Sequence, residues 1–296
     1  MRNRRTDLAL ESHQLWQQQG GQTAQLPGVK AEDRTREGFP VTCVQVLDEE
    51  GSRALDKEIG TYLTLTLDGL ERREEDSFFR AVRAVSAELS TLLPPPVENS
   101  PVLVAGLGNP DITPDALGPL VHRHTLVTRH LIHQMPEVFA GFGCVAGIAA
   151  GVLGTTGLES GEVISSLCRT IHPSCVVAVD ALAARSVHRL CRTVQLCDAG
   201  ISPGSGVGNH RTPLNKETLG VPVIAIGVPT VVDAATLAAD LLDTDHPPKL
   251  DDRGDLFVTP RDIDSQIRLL SRVIAYGIDL ALHPGLSPKE LELLLD

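Results

Sequence analysis

Apolar positions along this chain fall into two kinds of run. Three are short and continuous, Val102–Leu107, Cys175–Val179 and Val221–Gly227, each closed by residues that favour turns. Such runs predict strands buried on both faces. From Phe39 to Leu47 and from Thr61 to Leu67 apolar and polar positions alternate, with Leu63, Leu65 and Leu67 on one face and threonines on the other. This predicts strands with one polar face, paired as a hairpin. Helical spacing marks Ser77–Leu93, through Phe78, Phe79, Val82, Val85 and Leu89, and recurs around Ala116–His133, Glu159–Ile171 and Ile263–Leu282. Ser287, Pro288 and Glu290 match N-cap, N1 and N3 of a capping box. Residues 5–20 read as an exposed, partly helical arm, Pro94–Pro101 as a stiff break and Asp243–Asp255 as an exposed loop. Strands alternating with helices, and no internal repeat, predict one α/β domain with a parallel, helix-covered sheet.

Composition narrows the function. The chain has 296 residues, and 26 basic against 38 acidic residues give a net charge of −12. Such a surface repels phosphate backbones, which argues against direct nucleic-acid binding, and attracts basic peptides. Aromatics make up 3%, so the core rests on Ala, Val, Ile and Leu. The six cysteines, Cys43, Cys144, Cys168, Cys175, Cys191 and Cys197, show no C-x-x-C spacing and read as reduced core thiols of a cytosolic protein. Phe139–Leu158 carries no charge and spaces Gly143, Gly147 and Gly151 as G-x-x-x-G, a length and pattern compatible with a membrane helix. Its six glycines and its flanks, Glu137 and Glu159, point instead to a glycine-rich loop and short helix, and Met1–Asp7 lacks the apolar stretch of a secretory signal. The expectation is a soluble protein with no membrane partner.

Two aspartates carry the candidate chemistry. Asp115 follows the first apolar run in Leu107-Gly-Asn-Pro-Asp-Ile-Thr-Pro-Asp-Ala-Leu-Gly-Pro119, and Asp180 follows the second in Val176-Val-Ala-Val-Asp-Ala-Leu-Ala-Ala-Arg185. In open parallel sheets ligands gather outside the carboxyl ends of the strands, so both carboxylates could share one site. Close carboxylates supply a neutral acid and an ionised base at one pH, because the second ionises with difficulty beside the first. The competing reading makes each an N-cap, Asp180 opening a helix at Ala-Leu-Ala-Ala-Arg. Gly106-x-Gly108 resembles a dinucleotide fingerprint, but Asp111 stands where its third glycine belongs. Asp198 and Asp233 are rival carboxylates, Asp233 reading better as the cap of a helix over 234–242. Pro203-Gly-Ser-Gly-Val-Gly-Asn-His-Arg211 could lay backbone amides along a peptide or anion, or be only a turn. His122, His124, His130 and His133 are either metal-ligand candidates or solvated helix positions.

Read together, Arg5-Thr-Asp-Leu-Ala-Leu-Glu11, the Gly-Leu-Gly-Asn and Thr-Pro-Asp-Ala-Leu-Gly-Pro motifs, Leu126-Val-Thr-Arg-His130, Val179–Arg185, Pro203–Asn209 and Gly220–Ala234 resemble the spore germination protease family over nearly the whole chain. The resemblance implies a three-layer α/β fold like that of the hydrogenase maturation peptidases, with a mostly parallel central sheet, helices on both faces and an additional β-hairpin. It implies a cytoplasmic endopeptidase of the spore core, made as a zymogen, homotetrameric, that degrades small acid-soluble DNA-coating proteins on germination. The family's catalytic aspartates fall on Asp115 and Asp180. Gly204, Ser205, Gly206, Gly208 and Asn209, with Gly151 and Gly154, would shape the peptide cleft. Thr6-Asp-Leu-Ala-Leu-Glu11 imitates the family's cleavage motif, which implies self-processing between Asp7 and Leu8, a propeptide over 1–7 and one peptidase domain over 8–296. Ala150 stands where the family usually places proline, and cysteines are dense between 168 and 197.

Two rival readings remain. In one, no cofactor-free acid/base pair operates and Asp115 and Asp180 hold a divalent metal with His210 or His130 as third ligand, although two hard oxygens and an uncertain histidine are a weak metal signal. In the other, the acidic surface binds basic peptides without cleaving them. Retention of both aspartates together with a self-cleavage motif speaks against the second.

Overall fold

The computed structural model describes residues 6–18, 26–72, 74–98, 100–204, 211–242 and 256–295. The three apolar runs become β4 (Val102–Leu107), β6 (Cys175–Ala184) and β8 (Val223–Asp233), adjacent and parallel at the centre of one sheet. The alternating segments become β2 (Phe39–Val46) and β3 (Gly60–Thr66). With β1 (Val29–Arg36), β5 (Val145–Gly151) and β7 (Thr193–Cys197) the order is β1-β2-β3-β7-β8-β6-β4-β5, and β9 (Phe257–Val258) pairs with β8. Following the pairings, β1, β3, β4, β5, β6 and β8 point one way and β2, β7 and β9 the other.

Helices cover both faces. On one lie α4 (Ser77–Leu92), α5 (Leu117–His124) and α11 (Ile263–Leu282), which bury Val104, Val177, Val179, Ile224 and Ile226 beneath Val82, Val85, Leu117, Val121 and Ile274. On the other, α8 (Ser160–Ile171) covers Leu103, Ala105, Val176 and Ala178 through Ile164 and Cys168, while α1 (Ala9–Trp16) covers Val44, Val46 and Tyr62. Alternate residues of β4 and β6 thus enter opposite layers, which is why both strands read as unbroken apolar runs.

Several expectations change. The segment before Ala9 and the first turn of α1 are not an exposed arm: Leu8 and Ala9 are fully buried and Leu10 and Glu11 nearly so, because they enter the clusters of β2, β3 and β6. The strand holding Asp180 does not stop at Val179; pairing with β8 carries it to Ala184 and overrides the helix-favouring Ala-Leu-Ala-Ala composition. Val145–Gly151 forms an edge strand on β4 where a glycine-rich loop was expected, and Ala150 is a buried residue within it. Its Gly147 is in close contact with the side chains of His122 and Val127, and Gly143 with the Leu282 carbonyl. The segments β2 and β3 pair, but α2 (Glu49–Leu55) separates them; the tight hairpin is β1–β2, turning at Glu37 and Gly38, both with positive φ. The loop expected over Asp243–Asp255 lies outside the described residues. The closing capping box forms as read, with Ser287 N–H donating to Glu290 Oε2 at 2.8 Å at the start of α12 (Pro288–Leu295).

The hairpin is fastened to the body by a charge cluster. Glu88 of α4 is fully buried and accepts from Arg34 and, at 2.8 Å, from Arg36 Nε. The arginines are only partly buried, so Glu88→Ala is expected to destabilise by about 1–3 kcal/mol, less than breaking a wholly buried pair. Urea titration of the variant checks this; an unchanged midpoint would show that the hairpin needs no such anchor.

Candidate active site

Asp115 is placed by a chain of close backbone contacts. After β4 the chain turns at Gly108 (φ +105°), where a Cβ would lie 2.0 Å from the Asp115 carbonyl oxygen. A 3₁₀ turn over Thr113–Asp115 follows, lying against β6 and β8, and then α5. Gly118 in the first turn of α5 rests on β4 and β6: an added Cβ would be 2.3 Å from Leu107 O and 2.5 Å from Val179 O. Gly106 faces the Gly118 carbonyl at 2.2 Å by the same measure. Gly106 and Gly118 therefore serve helix-on-strand approach, and Gly108 the turn that returns Asp115 to the end of β4. Asp115 caps no helix; its Oδ2 accepts the Asn109 N–H at 2.7 Å.

Asp180 sits within β6, paired with Gly227 of β8, one residue beyond the pairing of Val179 with Gly106. Nor does it cap a helix: its Oδ1 accepts the adjacent Ala181 N–H at 2.9 Å. Only 6% of its surface is exposed, and burial pushes its carboxyl well above the usual carboxylate range. The Asp115 charge adds to the rise, as does Asp7, while the Ala181 N–H and Arg211 oppose it. Asp115 is raised more modestly, by burial, against the Asn109 N–H and Arg211. The two motif aspartates thus share one electrostatic environment, with the proton favoured on Asp180 and the charge on Asp115.

The rival carboxylates lie elsewhere. Asp198 accepts the Thr61 N–H at 2.6 Å in an exposed turn after β7, and Asp233 caps α10 (Ala234–Leu241) by accepting the Thr236 N–H at 2.8 Å. Gly151 (φ +73°) ends β5 opposite Leu107, and Gly154 lies in the short α7 (Leu153–Thr156), so both are at the same end of the sheet as Asp115. Gly204 (φ +74°) is in the turn after Ile201, whereas Ser205, Gly206, Gly208, Asn209 and His210 lie outside the described residues. Arg211, the next described residue, puts positive charge near both aspartates and lies 3.8 Å from Glu159 Oε2. His130 is exposed on α6 (Arg129–Gln134), and all six cysteines are free thiols. Among the described residues no group of three His, Cys, Asp or Glu side chains is arranged to hold a metal, so Asp115 and Asp180 have no third donor there. No helix among the described residues is long and apolar enough to cross a membrane.

Asp7 and Leu8 dock against β6, the strand that carries Asp180. The Asp7 N–H donates to Ala183 O at 3.0 Å, and the Ala183 N–H donates to Asp7 Oδ2 at 2.8 Å. Leu8 enters a pocket of Leu182, Ala184, Leu190 and Val232. Glu11 accepts the N–H groups of Arg185 and Ser186 at 2.7 and 3.0 Å. Sequence reasoning missed Gln195, a buried amide in β7 that bonds to this segment; a lone glutamine among Val194, Leu196 and Cys197 was the available signal.

Comparison with known proteins agrees with the motif reading. A family model described as "Germination protease" matches residues 9–245. The germination protease of Clostridium perfringens (strain SM101 / Type A) is 40% identical over 328 aligned residues, covering 100% of both chains. That of Bacillus cereus (strain G9842) is 46% identical over 242 residues, covering 81% of this chain and 66% of the relative. Among solved structures, the [NiFe] hydrogenase maturation protease HycI from Thermococcus kodakarensis KOD1 is similar at 19% identity and a TM-score of 0.36, covering 64% of this chain and 98% of that one. With a family model over most of its length and full-length relatives, the chain belongs to the germination protease family of peptidases.

Proposed function

We propose that the protein is an endopeptidase of the spore core that begins the degradation of small acid-soluble DNA-protecting proteins at germination, using Asp115 and Asp180 as an acid/base pair. The observation that supports this most is the inequality of the two carboxyls. Asp180 is buried beside a second carboxylate, and Asp115 is half-buried with a backbone N–H at 2.7 Å. Asp115, ionised, takes a proton from water attacking the scissile carbonyl carbon, while Asp180, protonated, gives its proton to the carbonyl oxygen. Collapse of the tetrahedral species returns a hydroxyl proton to Asp180, passes the Asp115 proton to the leaving amine and breaks the C–N bond. Activity then falls at low pH as Asp115 protonates and at high pH as Asp180 ionises, with the optimum between.

The same reading makes residues 1–7 a propeptide removed by cleavage between Asp7 and Leu8, makes the active form a homotetramer, and assigns Gly151, Gly154 and the 204–209 loop to the peptide cleft. His210, the third donor of the rival metal reading, lies outside the described residues, and those residues offer Asp115 and Asp180 no other. The test is cleavage of a Thr-Glu-Phe-Ala-Ser-Glu peptide by the Leu8-start form, read by mass spectrometry with and without EDTA, beside Asp115→Ala and Asp180→Ala. A cut after Glu that survives EDTA and is lost in both variants is expected. Loss with EDTA and rescue by metal would make the aspartates ligands. No cut by a folded protein would leave only peptide binding.

A further inference from the structure

The interior of β7 holds one polar side chain that the fold does not require. Gln195 is 6% exposed, and its strand neighbours Val194, Leu196 and Cys197 are buried and apolar or weakly polar. A buried carboxamide is costly unless both of its ends find partners. Both do, and both partners belong to one short stretch: the Ala9 N–H donates to Gln195 Oε1 at 2.8 Å, and Gln195 Nε2 donates to the Asp7 carbonyl oxygen at 3.2 Å. The amide therefore brackets the Asp7–Leu8 peptide bond. In the sheet, Gln195 pairs with Gly227, which pairs with Asp180, so Gln195 and Asp180 occupy one row and face the same layer, with the Leu182 side chain lying over the intervening glycine.

Every other group around that bond is also fixed. Asp7 exchanges two hydrogen bonds with Ala183, the Leu8 side chain is fully buried, and the Leu8 N–H donates to Thr6 Oγ1 at 3.1 Å. Lys57 Nζ donates to the Thr6 carbonyl at 3.0 Å. Holding a reacting group in one geometry lowers the entropic part of the barrier, and a donor fixed on a carbonyl oxygen strengthens as charge develops there.

We propose that Gln195 is a catalytic residue of self-processing, its Nε2–H holding the carbonyl oxygen of the Asp7–Leu8 bond while water adds to the Asp7 carbonyl carbon. This rests on the self-processing reading above. Gln195 transfers no proton. It donates to one lone pair of the oxygen, leaving the other for Asp180, and the proton movements are those of the acid/base pair. Removing one such donor typically costs about 10²–10³-fold in rate.

The full chain is the test object, with conversion to a Leu8 N-terminus followed by intact mass. Gln195→Glu keeps the length and the acceptor for the Ala9 N–H but lacks the amide donor; Gln195→Met keeps the length and lacks both. Protection of the Ala9 amide by hydrogen exchange reports whether the segment stays docked. Processing at least ten-fold slower in both variants, with the Ala9 amide still protected in Gln195→Glu, is the expected result. A rate within two-fold of wild type in either variant overturns the role, as does slowing that merely follows loss of protection, which marks an anchor. Cleavage of the separate peptide by the wild-type Leu8-start form keeps the outcomes apart. If that form cuts and the unaltered full chain never yields Leu8, the Gln195 role fails and the peptidase reading stands.

Discussion

Replacing Asp180 with asparagine is expected to abolish cleavage and yet make the protein more stable at neutral pH. Burial, with the Asp115 charge next, holds the folded-state carboxyl of Asp180 well above the ordinary 3.8. Below 3.8 the folded and unfolded chains are both protonated there, and the stability that the protonated form confers is fully present. As pH rises, the unfolded chain releases its proton first, so the stability conferred by the protonated form is lost through the folded pKa. Asparagine keeps the acceptor that the Ala181 N–H uses and never ionises. The gain at pH 7 is about 1–2 kcal/mol, the range typical of relaxing a functional site, or about 2–4 °C in Tm per kcal/mol. Cleavage falls by at least about 10³-fold if Asp180 is the acid. Thermal melts across pH 4–8 read the first effect: the difference from wild type opens as pH rises. A variant that melts at or below the wild-type temperature at pH 7 would contradict the burial argument, and one that still cuts would remove Asp180 from the mechanism.

Gly118→Ala tests the opposite coupling, in which stability and activity fall together. Gly118 has ordinary helical backbone, so alanine would favour α5 by propensity alone, by about 1 kcal/mol. The added methyl, however, meets Leu107 N and O and Val179 O at 2.3–2.5 Å, and backbone of two central strands cannot move aside as a side chain could. The helix must lift, carrying with it the turn that holds Asp115. We expect a loss of about 3 kcal/mol or more and activity below detection. The readouts are a chemical denaturation midpoint and peptide turnover at a temperature where the variant remains folded. Turnover near wild type in the folded variant would show that Asp115 does not depend on this contact.

These two substitutions mark how far the residues themselves spoke. Asp115 and Asp180 are conspicuous because each follows an apolar run long enough to be a buried strand, Asp180 directly and Asp115 after a turn-rich stretch. The glycines around Asp115 were equally visible, but their use was not. Gly106 and Gly108 resemble a damaged nucleotide fingerprint in sequence, whereas in the fold Gly106 admits the Gly118 carbonyl and Gly118 rests on Leu107 and Val179. The glutamine of β7 stood out only as a lone amide among apolar residues, and what it holds was hidden because its partners lie 186 and 188 positions away.

Local order determined what local order can express. Period-two and helical spacing placed β2, β3, α4, α8 and α11, a continuous apolar run placed β4, and Ser287, Pro288 and Glu290 placed the cap of α12, because each signal depends on neighbours within a few positions. Tertiary structure decided the rest. It extended β6 through Asp180 because β8 supplied a partner along that length, and it made a strand of glycine-rich 145–151 because β4 offered an edge. It drew Leu8 and Ala9 out of solvent because apolar pockets on β2, β3 and β6 outweigh the freedom of a short arm. The electrostatic inequality of the two aspartates belongs to the same category. It depends on burial and on the separation of groups distant in the chain, and neither exists until the sheet has formed.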